Sequence, residues 1–311
     1  LSVLGLGSMS ISPSVWMLAL ALFVAGFGAA LVWVPAPGIA ASMVGPTQGG
    51  LAIGLVGSGI GTGVMLAGPL TSAVRTVSGN DFSWRPVYGV QALFGVVVLL
   101  GLFLVLRRGD NAGTSVKVPV SVLTTVPHWR SITLAFVVFG ITYSLFFYFL
   151  PAQLVASGWS GATARWMFAL LGLASIFGGV VFGRISDRIS RPTTMRFGFV
   201  LMATAPLLVL VDNGIAVVIG VFAFGLCIAG VPTTIGAMLA DALDSRSFVT
   251  AFGTVTFAFG AAQLFGPPFA GWVGERTGSF QIPFITASVV ALLGALLTIP
   301  MKAAPDVMQT S

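Results

Sequence analysis

The sequence predicts an all-α integral membrane protein, and its composition and its hydrophobic pattern both lead to that fold class. The chain has 311 residues, of which 57% are hydrophobic and only 7% are charged. A soluble domain carries about 25% charged residues. Long apolar runs recur along the chain, and short polar segments rich in Pro, Gly and Ser separate them.

Nine segments are long enough to cross a membrane as helices, since one span needs about 20 apolar residues. Residues 1–10 are apolar but too short to span, so they are predicted to be the end of a helix whose beginning is missing. The longest polar segment, 107–130, is predicted to separate two helical bundles. The predicted spans are 13–37, 49–74, 85–106, 131–154, 164–183, 195–211, 214–240, 248–273 and 280–301.

Basic residues are concentrated on one side of the predicted membrane. Ten of the 14 Lys and Arg residues occur in alternate polar segments that include 107–130 and 183–196, or in the C-terminal tail. Because basic residues accumulate in cytoplasmic loops, these segments and the C-terminus are predicted to be cytoplasmic. The net charge of +6 therefore reflects topology, and no nucleic-acid partner is expected. A cytoplasmic turn that can close an inner gate by pairing is predicted at Asp241, Asp244 and Arg246.

The residue types that serve enzymes and metal sites are scarce. A single cysteine, Cys227, and a single histidine, His128, exclude a disulfide framework and a multi-histidine metal site within this chain. A membrane-embedded enzyme would need clusters of Asp, Glu or His near the interface, and the eight acidic residues lie mostly in turns. No catalytic residue, metal or cofactor is predicted, and the protein is expected not to be an enzyme.

The most distinctive polar stretch is 183–191, which reads Gly-Arg-Ile-Ser-Asp-Arg-Ile-Ser-Arg. Asp187 and Arg191 are four residues apart, in the order that favours an ion pair on a helical turn. The carboxylate can also accept hydrogen bonds from amides at a neighbouring helix start, and Gly183 would allow close helix packing. A basic anchor at the membrane surface, without a mechanistic role, is the alternative.

This pattern resembles the loop signature of the major facilitator superfamily (MFS), Gly-x-x-x-Asp-Arg-x-Gly-Arg-Arg. It departs from the signature at Ser190, where glycine is usual, and at Pro192, which replaces the last basic residue. The family carries the signature once in each half, and the second copy is usually the more degraded, so this copy is assigned to the second half. The resemblance implies a two-bundle transporter in which the stretch acts as a latch for one conformation. The latch residues would be Gly183, Asp187, Arg188 and Arg191.

An internal repeat supports duplicated halves. Pro232 follows Pro35 by 197 positions and Pro267 follows Pro69 by 198. At that offset, the partners of the first helices of the second half would precede residue 1. The chain is therefore predicted to be an N-terminally truncated transporter of bacterial type, without two helices and most of a third. The predicted organisation is a remainder of the N-terminal bundle at 1–106 (end of helix 3 to helix 6), a cytoplasmic linker at 107–130, a six-helix C-terminal bundle at 131–301 and a cytoplasmic tail at 302–311.

Glycines crowd into the second predicted span. Gly59 and Gly63, like Gly57 and Gly61, form small-x-x-x-small pairs that are typical of tight helix contacts in membranes. A Gly-Pro pair near the end of this span recurs in a later span, and each proline is predicted to permit a bend. Tight packing without a functional role is the alternative. The predicted packing and bend residues are Gly57, Gly61, Gly68, Pro69, Gly266 and Pro267.

The predicted substrate cavity is uncharged. No Asp, Glu, Lys, Arg or His occurs in the apolar interiors of the nine spans, and such residues are the usual sign of an ion path. Tyr143 and Phe147 share a helical face and offer aromatic surface with a hydroxyl group for an amphipathic molecule. For each candidate, a lipid-facing side chain or a helix–helix hydrogen bond is the alternative. The candidate cavity residues are Trp33, Ser58, Thr62, Tyr143, Phe147, Thr233, Thr256 and Gln263.

Together these features predict a secondary-active transporter that moves a small organic solute by alternating access, with proton coupling through residues absent from this chain. One alternative is an uncoupled facilitator of a small neutral or amphipathic solute, and another is an MFS-like sensor that no longer transports. The predicted setting is the bacterial inner (cytoplasmic) membrane. The expected partners are a small-molecule substrate, a coupling proton and the lipid bilayer, and a monomer is expected.

Overall fold

The computed structural model describes residues 1–44, 48–79, 84–105 and 118–301, and every regular element in these ranges is helical. The helices before residue 106 are α1 Ser2–Ser10, α2 Val15–Trp33, α3 Ala36–Ser42, α4 Gly49–Ser78 and α5 Arg85–Val105. A 3₁₀ helix at Val120–Thr125 precedes α6 Trp129–Phe147, α7 Leu150–Ala156, α8 Gly161–Arg188, α9 Arg191–Val209, α10 Gly214–Ala242, α11 Ser245–Gln263, α12 Gly266–Thr277 and α13 Gln281–Leu297.

Eight segments of the described chain are long and apolar enough to cross a membrane. Two of them, Val15–Ser42 and Ser245–Thr277, each join two successive helices into one apolar span. The last predicted span, 280–301, corresponds to α13, which has 17 residues and is shorter than the others. The predicted count of nine spans plus part of a tenth is therefore not confirmed, although residues 2–10 do form a helix.

Three predicted spans are interrupted in the structure. The interruptions separate α2 from α3, α6 from α7, and α11 from α12. Gly266 and Pro267 begin α12, so this Gly-Pro pair marks a helix break, whereas Pro69 lies inside the continuous α4. Proline is well tolerated in a first turn because the first amides of a helix have no intrahelical partner.

Polar and glycine residues set the helix boundaries. The Ser160 hydroxyl accepts a hydrogen bond from the Thr163 amide at 3.0 Å, and Asn213 accepts from two amides at the start of α10. Gly158 and Gly278 adopt left-handed backbone conformations, with φ of 88° and 67°, where α7 and α12 end. Ser and Asn satisfy free amides at helix starts, and Gly adopts positive φ without a steric penalty.

Contacts between Cα atoms divide the chain into two compact units. The first comprises Leu1–Pro35 and Pro69–Lys117, and the second comprises Ala36–Gly68 and Val118–Ser311. Residues 36–68 thus pack with helices that follow the predicted linker, although they precede it in the sequence. The predicted division at 107–130 stays a prediction, because residues 107–117 lie outside the described residues, as does the predicted tail at 302–311.

In the first unit, α1 packs against α2 and α5 through small residues. A methyl group added at Gly5 would lie 2.6 Å from the Ala25 backbone, which is closer than packing allows. The Arg85 guanidinium donates to the Ser12 carbonyl at 2.8 Å and connects the start of α5 to the turn after α1. An apolar groove of about 340 Å³ lies between the ends of α4 and α5, and none of the predicted cavity residues lines it.

The second unit is built around α10, which packs against α8 and α9. Phe224 of α10 stacks on Phe146 of α6 with ring centroids 3.9 Å apart, and both rings are fully buried. Phe182 of α8 occupies the space next to Gly198 and Gly230, where a larger residue would collide with its ring. Close packing of rings against glycines therefore forms the core of this unit.

A glycine-lined contact joins α4 to α8 within the second unit. Gly54 lies against Gly179, and Gly61 lies against the Ile176 backbone, so closely that a methyl group added to either α4 glycine would overlap α8. In lipid, such close backbone approach provides the packing energy that the hydrophobic effect provides in water. We call this the α4–α8 glycine contact.

The predicted glycine pairs of α4 lie on different faces. Gly61 belongs to the α4–α8 glycine contact, and a methyl group added at Gly57 would lie 3.4 Å from the Thr233 hydroxyl of α10. Within the described parts of the chain, Gly59 and Gly63 have open space where a side chain would begin, so the prediction that they form a packing pair is wrong. Residues two positions apart are separated by about 200° around a helix, and the two pairs therefore cannot face the same neighbour.

Gly61→Ala is expected to lower the midpoint of thermal unfolding, because overpacking of a tight contact costs about 1–3 kcal/mol. Gly63→Ala adds the same methyl group to the same helix in open space, so its midpoint should stay unchanged or rise slightly. Thermal unfolding of the detergent-purified variants, followed by tryptophan fluorescence, measures both. Equal midpoints for the two variants would contradict a tight α4–α8 glycine contact.

Candidate functional site

The polar stretch at 183–191 is mostly helical rather than a loop. α8 continues through Gly183 to Arg188 and α9 begins at Arg191, so only two residues separate the helices. One of them, Ser190, accepts a hydrogen bond from the Thr193 amide at 3.2 Å and caps the start of α9. The serine that departs from the usual glycine therefore has a local structural role.

Asp187, near the end of α8, caps the start of α4. Its Oδ1 accepts a hydrogen bond from the Gly50 amide and its Oδ2 accepts one from the Leu51 amide, each at 3.1 Å. The first amides of a helix have no partner inside their own helix, and the partial positive charge there favours a carboxylate. The Asp187 side chain is only 8% exposed, so these amides replace water that burial removes.

Arg191 connects Asp187 to Asp241 near the end of α10. Its Nη1 forms an ion pair with Asp187, and its Nε donates to Asp241 Oδ2 at 2.9 Å. Nη1 also donates to the Ser186 hydroxyl at 2.8 Å. The planar guanidinium presents its donors in a fixed fork, so a single side chain links α8, α9 and α10 and, through Asp187, α4. We call Asp187, Arg191 and Asp241 the polar clamp.

Two glycines leave room for the polar clamp. A methyl group at Gly50 would lie 2.5 Å from Asp187 Oδ1 and 2.6 Å from Arg191 Nη1. Gly183 lies directly against the Gly50 backbone, where a side chain would overlap α4. A larger residue at either glycine would therefore move the α4 amides away from the carboxylate.

The remaining basic residues of the stretch do not belong to the polar clamp. Arg184 and Arg188 are exposed and form no ion pair with any residue in the described ranges. The predicted role of Arg188 in a latch therefore stays a prediction.

Asp241 was expected in a pairing turn, but its contact with Arg191 has no sequence signal, since 50 residues separate them.

Asp244 caps α11 instead of pairing with a basic side chain. Its Oδ1 accepts from the Arg246 and Ser247 amides at 2.9 Å and 3.2 Å, and its Oδ2 accepts from the Ser247 hydroxyl at 2.7 Å. These hydrogen bonds, that of the Ser247 hydroxyl foremost, hold the pKa of Asp244 below its usual range. Its contribution to stability is therefore present at neutral pH and is lost as the pH falls through that lowered pKa.

Several of the predicted cavity residues do not line an open cavity. Ser58 donates to a carbonyl of α8 at 2.6 Å, and Thr233 is buried against Gly57. Both therefore make helix–helix contacts, which is the alternative considered from the sequence. Thr62 is exposed and donates to the Ser58 carbonyl of its own helix, and Trp33 belongs to the first unit.

The other predicted cavity residues lie on α6 and α11, which pack against each other. Tyr143 stacks on Phe147 with ring centroids 4.7 Å apart, and its ring centroid lies 6.4 Å from that of Phe259 on α11. Sequence reasoning missed Phe259, which lies three residues after Thr256 and four before Gln263. That spacing places the three on one helical face and is the signal that identifies Phe259.

Across the described ranges, no group of three His, Cys, Asp or Glu could hold a metal ion.

Gly50→Ala is expected to lower the midpoint of thermal unfolding, because the added methyl group displaces charge-assisted hydrogen bonds that contribute about 1.5–3 kcal/mol. Gly49→Ala is the matched control, since the neighbouring position has open space. In an Asp187→Asn background the effect of Gly50→Ala should shrink, because the two residues act through one interaction. If the midpoint shifts of Gly50→Ala and Asp187→Asn simply add in the double variant, the two residues do not act through one interaction.

Comparison with known proteins assigns this chain to a family. The family model described as "Uncharacterised MFS-type transporter YbfB" matches residues 1–299. The putative transporter AraJ of Escherichia coli (strain K12) is 25% identical over 307 residues, which cover 96% of this chain and 73% of AraJ. These matches cover the described helices of both units.

Solved structures of transporters share the fold. The fucose:proton symporter FucP of E. coli superposes with a TM-score of 0.68 at 14% identity, over 96% of this chain and 80% of FucP. The human organic anion transporter MFSD10 gives a TM-score of 0.74 at 17% identity, over 96% of this chain and 75% of that protein. These relatives are transporters and not enzymes. The chain belongs to the family of MFS-type transporters that this model describes, and it is a multi-pass membrane protein.

Proposed function

We propose that the protein is a secondary-active transporter that moves a small organic solute by alternating access between two helical bundles. The polar clamp is the observation that carries the proposal. It joins the start of α4, which precedes the predicted linker, to α8, α9 and α10, which follow it. A contact of this kind between two predicted bundles can form in one state of the cycle and open in the other.

The energy of the polar clamp suits a reversible contact. Opening it would return two α4 amides and the Asp187 carboxylate to water, so only the net value of the hydrogen bonds is lost. Net values for charge-assisted hydrogen bonds are about 1.5–3 kcal/mol, which changes the ratio of two states by about tenfold to a hundredfold. The clamp would therefore bias the equilibrium without blocking the cycle.

Proton coupling is the less direct part of the proposal. The neighbour FucP is a proton symporter, whereas the interiors of the predicted spans in this chain contain no Asp, Glu, Lys, Arg or His. Coupling would thus require groups outside these spans. The lack of Asp, Glu, Lys, Arg and His in these interiors favours a second candidate, an uncoupled facilitator of a small neutral or amphipathic solute. Both candidates are proposed as monomers in a bacterial inner membrane with a cytoplasmic C-terminus.

Transport in membrane vesicles that contain this chain tests the proposal. A panel of sugars and uncharged organic solutes is measured with and without an imposed proton gradient. Accumulation that responds to the gradient is expected for a secondary-active transporter. Transport at the same rate with and without the gradient would contradict a secondary-active transporter and support the uncoupled facilitator. Vesicles that transport no solute of the panel would contradict both candidate functions.

Asp187→Asn is expected to leave membrane insertion intact and to slow turnover about tenfold, because the weaker polar clamp lowers the population of the state in which it is closed. Asp212→Asn, in an exposed turn before α10, removes a carboxylate of the same type and should leave turnover unchanged. Initial transport rates in vesicles, normalised to protein in the membrane, compare the two. If turnover is unchanged in Asp187→Asn, the stretch 183–191 serves only as a basic anchor at the membrane surface.

A further inference from the structure

A row of aromatic rings lies along two apolar spans. The row runs along α6 and crosses to α11, where Phe259 contacts the rings of α6. Tyr143 lies halfway along the segment from the start of α6 to the end of α7, and Phe259 lies near the centre of Ser245–Thr277. We define the aromatic row as Phe136, Phe139, Tyr143, Phe147 and Phe259.

Three polar side chains accompany the aromatic row without a hydrogen-bond partner in the described parts of the chain. The Thr256 hydroxyl is buried and unpaired, and neither the Tyr143 hydroxyl nor the Gln263 amide forms a hydrogen bond in those parts. By contrast, Thr254 on the same helix donates to the Thr250 carbonyl at 2.8 Å. Unpaired polar groups are costly in hydrocarbon, so these three groups require water or a ligand.

Two helix breaks adjoin the aromatic row. α6 ends at Phe147, and α11 ends at Gln263. Gly266, the first residue of α12, lies directly against the Ser144 side chain, so the second break is held beside α6. Irregular backbone at membrane depth is tolerated only where it is buried in protein or lines a cavity, and transporters place substrate sites at such breaks.

We propose that this face of α6 and α11 is a binding subsite for a planar, uncharged ring compound that carries one hydrogen-bonding group. The proposal rests on the proposed transport function and assigns it a substrate class. Tyr143, Phe147 and Phe259 are half-buried and provide the ring faces on which a planar compound stacks. The Tyr143, Thr256 and Gln263 side chains provide the donors and acceptors for its polar group.

The chemistry of the subsite disfavours other solutes. A hexose carries a hydroxyl group on almost every ring carbon and needs a partner for each when water is removed, whereas this face offers three polar side chains. A charged solute would need a counter-charge, and the span interiors contain none. A flat ring with one amide or hydroxyl group matches both the rings and the polar groups.

A matched pair of probes tests the subsite in the purified full chain. Benzamide and cyclohexanecarboxamide carry the same amide group, but only benzamide has a planar ring. A ligand that binds the native state raises the midpoint of thermal unfolding. At equal concentration, benzamide is expected to raise it more than cyclohexanecarboxamide. Phe259→Leu should abolish this difference, and Phe259→Tyr, which keeps the ring, should preserve it.

Phe257→Leu is the control variant, because Phe257 lies on the same helix but is 79% exposed, and it should keep the benzamide preference. Thr256→Val serves as a second variant that keeps the side-chain shape, and it should reduce the benzamide shift even if Phe259→Leu does not fold. Equal shifts with both probes, no shift with either, a benzamide preference that survives in Phe259→Leu, or a benzamide shift that is unchanged in Thr256→Val would overturn the subsite.

Parallel transport measurements separate this inference from the function on which it rests. Vesicles that transport a hexose, together with equal shifts for the two probes, would overturn the planar-ring subsite and leave transport standing. A benzamide preference that depends on Phe259 in a protein that transports no solute would support the subsite and overturn the transport function.

Discussion

The described arrangement of α4 and α8 depends on one carboxylate held between two helix ends. Asp187 is 8% exposed, and a charge with so little water needs partners. Two α4 amides and Arg191 supply them, and Gly50 allows the amides to approach because it has no side chain. The polar clamp also fixes the register, since sliding α4 by one turn would remove both amide hydrogen bonds. The α4–α8 glycine contact alone has no comparable directional bond.

The polar clamp and the α4–α8 glycine contact therefore have different roles. Packing between Gly54 and Gly179 lies within the apolar part of the helices, and lipid tails can replace it only with poorer contacts. The clamp lies at the helix ends, where Asp241 is 44% exposed and water can take over its hydrogen bonds. In the proposed transport cycle, the apolar contact would determine which helices meet, and the polar contact would determine how readily they separate.

Features with local causes are predictable from this sequence, and features that depend on a partner helix are not. Apolar length predicts nine spans, of which eight are long and apolar enough to cross a membrane in the described chain, and a four-residue spacing predicts the Asp187–Arg191 pair. Asp241 cannot be assigned to Arg191 from the sequence, because their contact depends on how α9 and α10 pack. The Gly59 and Gly63 pair has the same spacing as Gly57 and Gly61, and only the position of the neighbouring helices distinguishes them.

The predicted cavity residues also show that the sequence does not reveal which residues find a partner on a neighbouring helix, whereas the structure does. Ser58 and Thr256 are both hydroxyl residues in the middle of apolar helices, and composition treats them alike. Ser58 is satisfied by a carbonyl of α8, whereas Thr256 has no partner in the described ranges. Because hydrocarbon cannot satisfy a hydroxyl group, the unpaired residue is the informative one. In the proposed transport function, charge at the helix ends controls conformation and the uncharged aromatic face selects the solute, so the two tasks require no shared residue.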